Sequence, residues 1–192
     1  TRPSRNVPGF THLSEVLAPK RLEYLLQVAP RSRRIAFVYG DSSGVILRDA
    51  TEPAARALGI ALIDVDMTGG VARALAGAMA QPIDAIIVNA DPITFPATGD
   101  IAAFAAARQI PAIFALRQMA VDGGLMALSY DPFENVRGTA DYVARILRGT
   151  PVASLPFQLP SRLIFTLNLQ AARRSRIEVP ATIIALADEV IE

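Results

Sequence analysis

Five short apolar runs set the problem that this chain must solve in folding. Ile35 to Tyr39, Ile60 to Val65, Ile83 to Val88, Ala112 to Ala115 and Leu125 to Tyr130 are too short for stable helices and rich in Ile, Val, Ala and Leu. A strand that is apolar at nearly every position has no face to give to water, so both of its sides must be covered. The stretches between the runs supply the cover. Leu13 to Val28 carries Leu13, Val16, Leu17, Tyr24, Leu25 and Val28 near a helical period. Val45 to Leu58, Val71 to Ala80, Ile101 to Gln109 and Phe133 to Leu147 read as further helices. Strand and helix alternating in this way predict an α/β fold, an open and doubly wound parallel sheet of Rossmann-like type with right-handed crossovers.

Punctuation residues mark where the elements should begin and end. Pro53 is expected to kink the second helix or to open a new segment there. Thr68 and Asp100 are the expected caps of the third and fourth helices, and Gly149 the expected stop of the fifth. Beyond Gly149 the pattern changes, with Pro151, Pro156 and Pro160 breaking it up. Ser161 to Asn168 then reads as another strand, and Leu169 to Ile191 as one or two short helices around Pro180. Gly69-Gly70 and Gly123-Gly124 read as turns.

In an open α/β sheet, ligands bind beyond the carboxyl ends of the strands. Here those ends carry Asp41, Ser42 and Ser43, then Asp64 and Asp66, then Asn89, Asp91 and Thr94, then Arg117 and Gln118, then Ser129, Tyr130 and Asp131. Two readings stand side by side. Asp, Ser and Asn are the residues that cap helices and close turns. Taken as a row, they also make a polar rim suited to a small molecule. Asp91 and Arg117 have the charges to bracket the ammonium and carboxylate of an amino acid, or to form a surface ion pair. Tyr39, Phe95, Phe114 and Tyr130 lie near the same edge; Phe114 is expected in the core and Tyr130 is the aromatic expected to reach a ligand.

Composition narrows the chemistry. The chain has no cysteine, one histidine (His12) and one lysine (Lys20), so it has no disulfide, no thiol nucleophile and no multi-histidine metal site. No metal and no cofactor are expected. Nineteen basic residues face 18 acidic ones, which leaves no basic excess for a nucleic acid. Dinucleotide, phosphate-loop and nucleophile-elbow glycine motifs are absent, and His12 stands at a helix start as a cap or a solvated side chain. Asp64-Val65-Asp66-Met67-Thr68 resembles the first motif of haloacid-dehalogenase-type phosphatases, where the two aspartates attack phosphorus, move a proton and help hold magnesium. That chemistry also needs a later lysine, and none follows Lys20. A magnesium-dependent phosphatase centred on Asp64 and Asp66 is the competing function; the other reading of the pair is a strand end and a turn.

The order of several segments resembles a known family. Asn6-Val7-Pro8-Gly9-Phe10-Thr11, Lys20-Arg21-Leu22-Glu23-Tyr24-Leu25-Leu26, Ile110-Pro111-Ala112-Ile113-Phe114 and Gly123-Gly124-Leu125-Met126-Ala127-Leu128-Ser129-Tyr130 are four of them. Ile146-Leu147-Arg148-Gly149 and the close Ala187-Asp188-Glu189-Val190-Ile191 follow. Together they are similar to ABC-transporter substrate-binding proteins, the family that includes bacterial tryptophan-binding lipoproteins.

The resemblance implies a type I periplasmic-binding-protein fold of two lobes joined by three crossover segments. It implies that residues 1–128 hold the C-terminal lobe with a first crossover at 6–10. Residues 129–150 would return to an N-terminal lobe, and 151–192 would supply a closing strand and C-terminal helices. A signal peptide and an N-terminal lobe of roughly a hundred residues would precede this chain. The implied function is non-catalytic: a periplasmic or extracytoplasmic component of an ABC importer that holds a small organic solute in an interlobe cleft and delivers it to the ABC permease. An amino acid or an aromatic or apolar acid is favoured, and a sensory ligand-binding lobe is the alternative. Asp41, Ser42, Ser43, Asn89, Asp91, Thr94, Arg117 and Gln118 would line one wall, with Tyr130 and Asp131 at the hinge or on the opposite wall. One departure stands out. The family carries Leu-Gly where this chain has Ser175-Arg176, so a helix-stopping glycine is replaced by a residue that disfavours positive φ. The face Val136, Ala140, Val143 and Leu147 is expected to pack on strands outside this chain, so the chain alone should dimerise or exchange segments.

Overall fold

The computed structural model describes residues 7–192; Asn6, the first residue of the expected crossover, lies outside the described residues. The chain divides into two compact units. One comprises the N-terminal residues up to Leu13 together with Tyr130–Leu163, and the other Ser14–Ser129 with Ile164–Glu192. Three passages of the chain therefore connect them, at Leu13, Ser129 and Leu163.

The larger unit is the doubly wound sheet that the apolar runs require. Its elements are α1 (Ser14–Val28), β1 (Arg34–Tyr39), α2 (Ser42–Ala57), β2 (Ala61–Asp66), α3 (Val71–Met79), β3 (Ala85–Val88), α4 (Thr98–Arg108), β4 (Ala112–Phe114), α5 (Arg117–Val121) and β5 (Met126–Tyr130), whose last residue belongs to the other unit. After the return come β6 (Leu163–Asn168), α7 (Leu169–Ser175), α8 (Ala181–Leu186) and β7 (Glu189–Ile191). The seven strands stand in the order β2-β1-β3-β4-β5-β6-β7. Pairing is parallel between β1 and β2, β1 and β3, β3 and β4, β4 and β5, and β6 and β7.

Strand alternation assigns the two faces. Ala36, Val38, Ile86, Val88, Ala112 and Phe114 join Ala78 of α3, Ile101 and Ala105 of α4, and Met119 and Ala120 of α5 in one core layer. Ile35, Phe37, Ile87 and Ile113, equally buried, point to the opposite face. There α1 packs on β3 and β4, and α2 packs on β1 and α1. The alanine-rich helices let backbone approach the sheet closely. Among the described residues no helix is long and apolar enough to cross a membrane.

Several expected boundaries move, each for a local reason. Pro53 lies inside one continuous α2, more than two turns from its start, and does not divide it. The N-cap of α3 is Gly70 at φ 110°, not Thr68, whose backbone N–H instead donates to Asp66 Oδ1 at 2.8 Å in a turn. The N-cap of α4 is Ala97, one turn before Ile101, and Asp100 serves as the acidic residue of the first turn. The tail expected to be helical ends in the strand β7, paired to β6 through Thr166, Leu167 and Asn168.

The smaller unit is built from α6 (Pro132–Leu147), a 3₁₀ turn at Val152–Ser154 and an irregular return. Asp131 caps α6 by accepting from Phe133 N at 2.9 Å, and Gly149 at φ 94° stops it. Phe10 forms a parallel bridge with Gln158 and packs on Tyr142 with ring centroids 5.0 Å apart. Gly138 makes room for that ring, since a Cβ there would meet Phe10 Cε1 at 2.4 Å. Tyr142 completes the packing by donating its hydroxyl to Pro156 O at 2.7 Å.

Arg176 makes the turn that a helix-stopping glycine would make. It adopts φ 53°, and Ile177 N donates to Ala172 O at 3.0 Å in the bond pattern of a glycine-type helix stop. A Cβ in this region costs about 1–2 kcal/mol, so Arg176→Gly is expected to stabilise the fold by about 1 kcal/mol. A rise in the urea midpoint with unchanged slope checks this; a fall would show that the arginine side chain contributes more than the strain costs.

Candidate functional site

The strand order reverses direction between β1 and β3, since the connection from β1 leads to β2 on one side and that from β3 leads to β4 on the other. Such a switch point opens a crevice between the two strand-to-helix loops. Here the loops are Gly40–Ser43 and Asn89–Thr94. Six of the ten sequence-selected residues flank it.

The Asp91 carboxylate binds the two loops together. Its Oδ2 accepts from Gly40 N at 2.8 Å, while Oδ1 accepts from Ile93 N and Thr94 N, each at 2.9 Å. The group is 7% exposed, and the three amides satisfy a charge that could not otherwise be buried. Gly40 is necessary for this approach: a Cβ would lie 2.5 Å from Ile93 Cβ and 2.6 Å from Asp91 Oδ1. Thr94 is fully buried, donating to Asn89 O at 2.7 Å and accepting from Asp91 N at 3.0 Å. Asn89 is also buried, yet its Nδ2 has no hydrogen-bond partner. Across the crevice, Asp41 caps α2 by accepting from Ser43 N, Ser43 Oγ and Gly44 N. Ser42 and Ser43 are exposed at the start of that helix.

Arg117 and Gln118 open α5 on the same carboxyl edge. Asp91 and Arg117 do not meet in an ion pair. Arg117 makes a two-pronged pair with Glu189 of β7, Nε to Oε2 at 2.6 Å and Nη2 to Oε1. The pair holds Arg117 charged and, chiefly through the Arg117 hydrogen bond, holds the Glu189 carboxyl below its ordinary range. Gln118 bonds Asp122 on its own helix. Tyr130 and Asp131 lie in the smaller unit. There Tyr130 stacks on His12 with centroids 4.4 Å apart and planes 8° from parallel, and burial raises its pKa. Asp131 caps α6 and pairs with Arg137 at 3.3 Å.

The aspartates of the phosphatase reading are engaged elsewhere. Asp64 accepts from Arg48 Nε at 3.1 Å, and Asp66 from Thr68 N. Both stand on β2, the edge strand beside β1, and not on the two loops of the β1–β3 switch point. Among the described residues no cluster of three or more His, Cys, Asp or Glu is placed to hold a metal.

Arg21, outside the polar row that the sequence presents, and Ser129, within it, are buried polar groups at the β4 and β5 ends. Arg21 of α1 is 5% exposed, with Nε donating to Leu128 O at 3.0 Å and Nη2 to Ala115 O at 3.3 Å. The sequence did carry a signal for it, because Arg21 stands four residues from both Leu17 and Leu25 on the buried stripe of α1. Ser129, at the end of β5, is buried with an unpartnered hydroxyl.

Comparison with known proteins decides the lineage. The sequence profile described as ABC transporter substrate binding protein matches residues 1–191. The chain belongs to the ABC transporter substrate binding protein family. No curated protein matches it. Among solved structures it is similar to a conserved domain protein from Vibrio cholerae (26% identity, TM-score 0.87), covering 98% of this chain and 64% of that one. It shares its fold with the ABC domain in complex with L-Trp from Streptococcus pneumonia (19% identity, TM-score 0.83), covering 99% and 66%. The ligand-free, open structure of CD0873, a substrate binding protein with adhesive properties from Clostridium difficile, is also similar (20% identity, TM-score 0.77), with 99% and 64% covered. The chain thus spans about two thirds of the length of these family relatives.

The Arg117–Glu189 pair fixes the last strand of this family member, and its loss has a predictable pH signature. Glu189→Gln is expected to cost about 1 kcal/mol at pH 7, within the range of a partly exposed pair. Because the folded-state pKa is depressed, this contribution is present above the ordinary value of 4.5 and disappears as pH falls through the folded pKa. Urea unfolding of both proteins should show curves that separate at neutral pH and converge under acid conditions; a constant separation would contradict the assignment.

Proposed function

We propose that the protein carrying this chain is the solute-capturing component of an ABC importer, working outside the cytoplasm without catalysing a reaction. The observation that carries the reading is the family match along residues 1–191, on a sheet whose β1–β3 switch point carries polar loops at the carboxyl edge. Asp41, Ser42 and Ser43 would face the solute from one loop and Asn89 from the other. Asp91 and Thr94 would hold that second loop in shape. Arg117 and Gln118 would border the edge, and Tyr130 and Asp131 would act at a hinge or on an opposite wall. An amino acid, or an aromatic or apolar acid, is the favoured solute. The L-Trp complex of a protein with this fold supports that class. An ABC permease would be the partner that accepts it.

Thermal shift of the full-length protein against the proteinogenic amino acids and simple aromatic acids tests the reading. At a ligand concentration one hundred times Kd, stabilisation of about 2.7 kcal/mol is expected, a rise of several degrees in Tm for the cognate class. No shift with any member would sink the ligand class.

The smaller unit bears on assembly. Val136, Val143 and Leu147 are 65%, 50% and 82% exposed along one side of α6, lining an open apolar groove with Ala140 and Ala144. We infer that strands of an N-terminal lobe cover this groove in the full-length protein, and that the 192-residue chain alone self-associates through it. Light scattering should give a dimer or larger species for the chain and a monomer for the two-lobe protein. A monodisperse monomer of the chain would contradict the inference.

A further inference from the structure

Among the described residues Arg21 is a buried cation without a counter-charge. Its guanidinium lies under the carboxyl ends of β4 and β5, held by the carbonyls of Ala115 and Leu128. Two of its N–H donors are used in this way, of the five a guanidinium carries. No carboxylate among the described residues acts on it, and burial lowers its pKa to about 10. A pure strut between helix and strand ends would not require a charge there. A buried ion without a partner is costly, so such a group calls for a reason, and a ligand that completes it is one.

A second, independent observation lies on the neighbouring strand. Asn89 N continues the parallel ladder of β3 by donating to Val38 O at 2.9 Å. Alternation from Ile86 and Val88, which join the layer of α3, α4 and α5, turns Asn89 to the other face. That is the face on which α1, carrying Arg21, packs against β3 and β4. Asn89 is 4% exposed and its Nδ2 has no partner. One strand edge therefore presents, on one face, a guanidinium without an anion and an amide N–H₂ without an acceptor.

We propose that Arg21 and Asn89 together hold the carboxylate of the solute, at the carboxyl ends of β3, β4 and β5. Arg117, the other arginine on this edge, is unsuited to the role because Glu189 already neutralises it. Arg21 supplies charge-assisted N–H donors to one or both carboxylate oxygens, and Asn89 Nδ2 adds a further bond. The inference rests on the solute-binding reading above and names the chemical group that the site selects.

Isothermal titration of the full-length protein tests it, using the proteinogenic amino acids and phenylacetate as probes, with L-tryptophanamide, L-leucinamide and phenylacetamide as uncharged counterparts. The expected result is that an acid binds and its amide binds at least tenfold more weakly. Arg21→Met should lose at least tenfold in affinity for the acid, with Arg21→Lys falling between. Asn89→Ala should lose severalfold without lowering Tm, because Nδ2 has no partner within the protein. Should Arg21→Met fail to fold, Asn89→Ala and the acid-to-amide ratio decide. Acid and amide binding alike, or both variants binding as the parent does, would overturn the carboxylate site and leave solute binding standing. Failure of every probe to bind would overturn both.

Discussion

The arrangement of the candidate site depends on one buried carboxylate. Asp91 accepts the backbone N–H groups of Gly40, Ile93 and Thr94, and so fixes the loop after β1 against the loop after β3 at the point where the sheet reverses its winding. A crevice at a switch point exists in any sheet of this type, but its width is set by what crosses it. Here a carboxylate with three charge-assisted bonds crosses it, at a position where only glycine permits the approach. The polar groups left at the edge then have fixed positions, which is the condition for selecting a small solute rather than adapting to many.

The same edge shows how structural and ligand-facing roles divide among similar residues. Asp41, Thr94 and Asp131 make bonds that a cap or turn requires, and Gln118 is paired with Asp122. Arg117 is committed to the last strand, and Asp188, just before that strand, accepts Phe165 N at 2.9 Å. The acidic close of the chain is therefore a fastening for β6 and β7. At this edge, among the described residues, what remains unsatisfied is the Asn89 amide, the Ser129 hydroxyl and the uncompensated charge of Arg21; Arg108 Nε and Asn135 Nδ2 are unpartnered elsewhere. Unpaired polar groups are costly in a core this apolar, so the ones at this edge carry more information about a ligand than the abundance of polar residues there.

The fold class was legible because uninterrupted apolar runs demand cover on both faces, and only alternating helices supply it. The strand β7 was not legible. Glu189, Val190 and Ile191 give three residues with no periodicity to distinguish them from a helix end, and their state is decided by pairing with β6. Thr68 and Asp100 misled as caps because the sequence offers the residue type but not the direction of the chain entering the helix. The edge itself was legible from its polar residues. Their partners were not: Asp91 with Arg117 was a natural pairing by charge, but the backbone amides of Gly40, Ile93 and Thr94 lie closer to Asp91, and Glu189 reaches Arg117 through a strand that was not foreseen. Arg21 was hidden by its setting, as one cation within an otherwise apolar helix stripe.

A solute held at the carboxyl edge of this sheet, beside the β1–β3 switch point, would cover the loops there. Hydrogen exchange of the full-length protein, measured with and without a saturating mixture of the proteinogenic amino acids, locates the binding surface directly. This binding mode predicts slowed exchange in the loops Gly40–Gly44 and Asn89–Thr94 and at the end of β5, with the amino-terminal ends of the strands unchanged. Protection confined to the opposite edge or to the outer helices, with these loops unaffected, would contradict it.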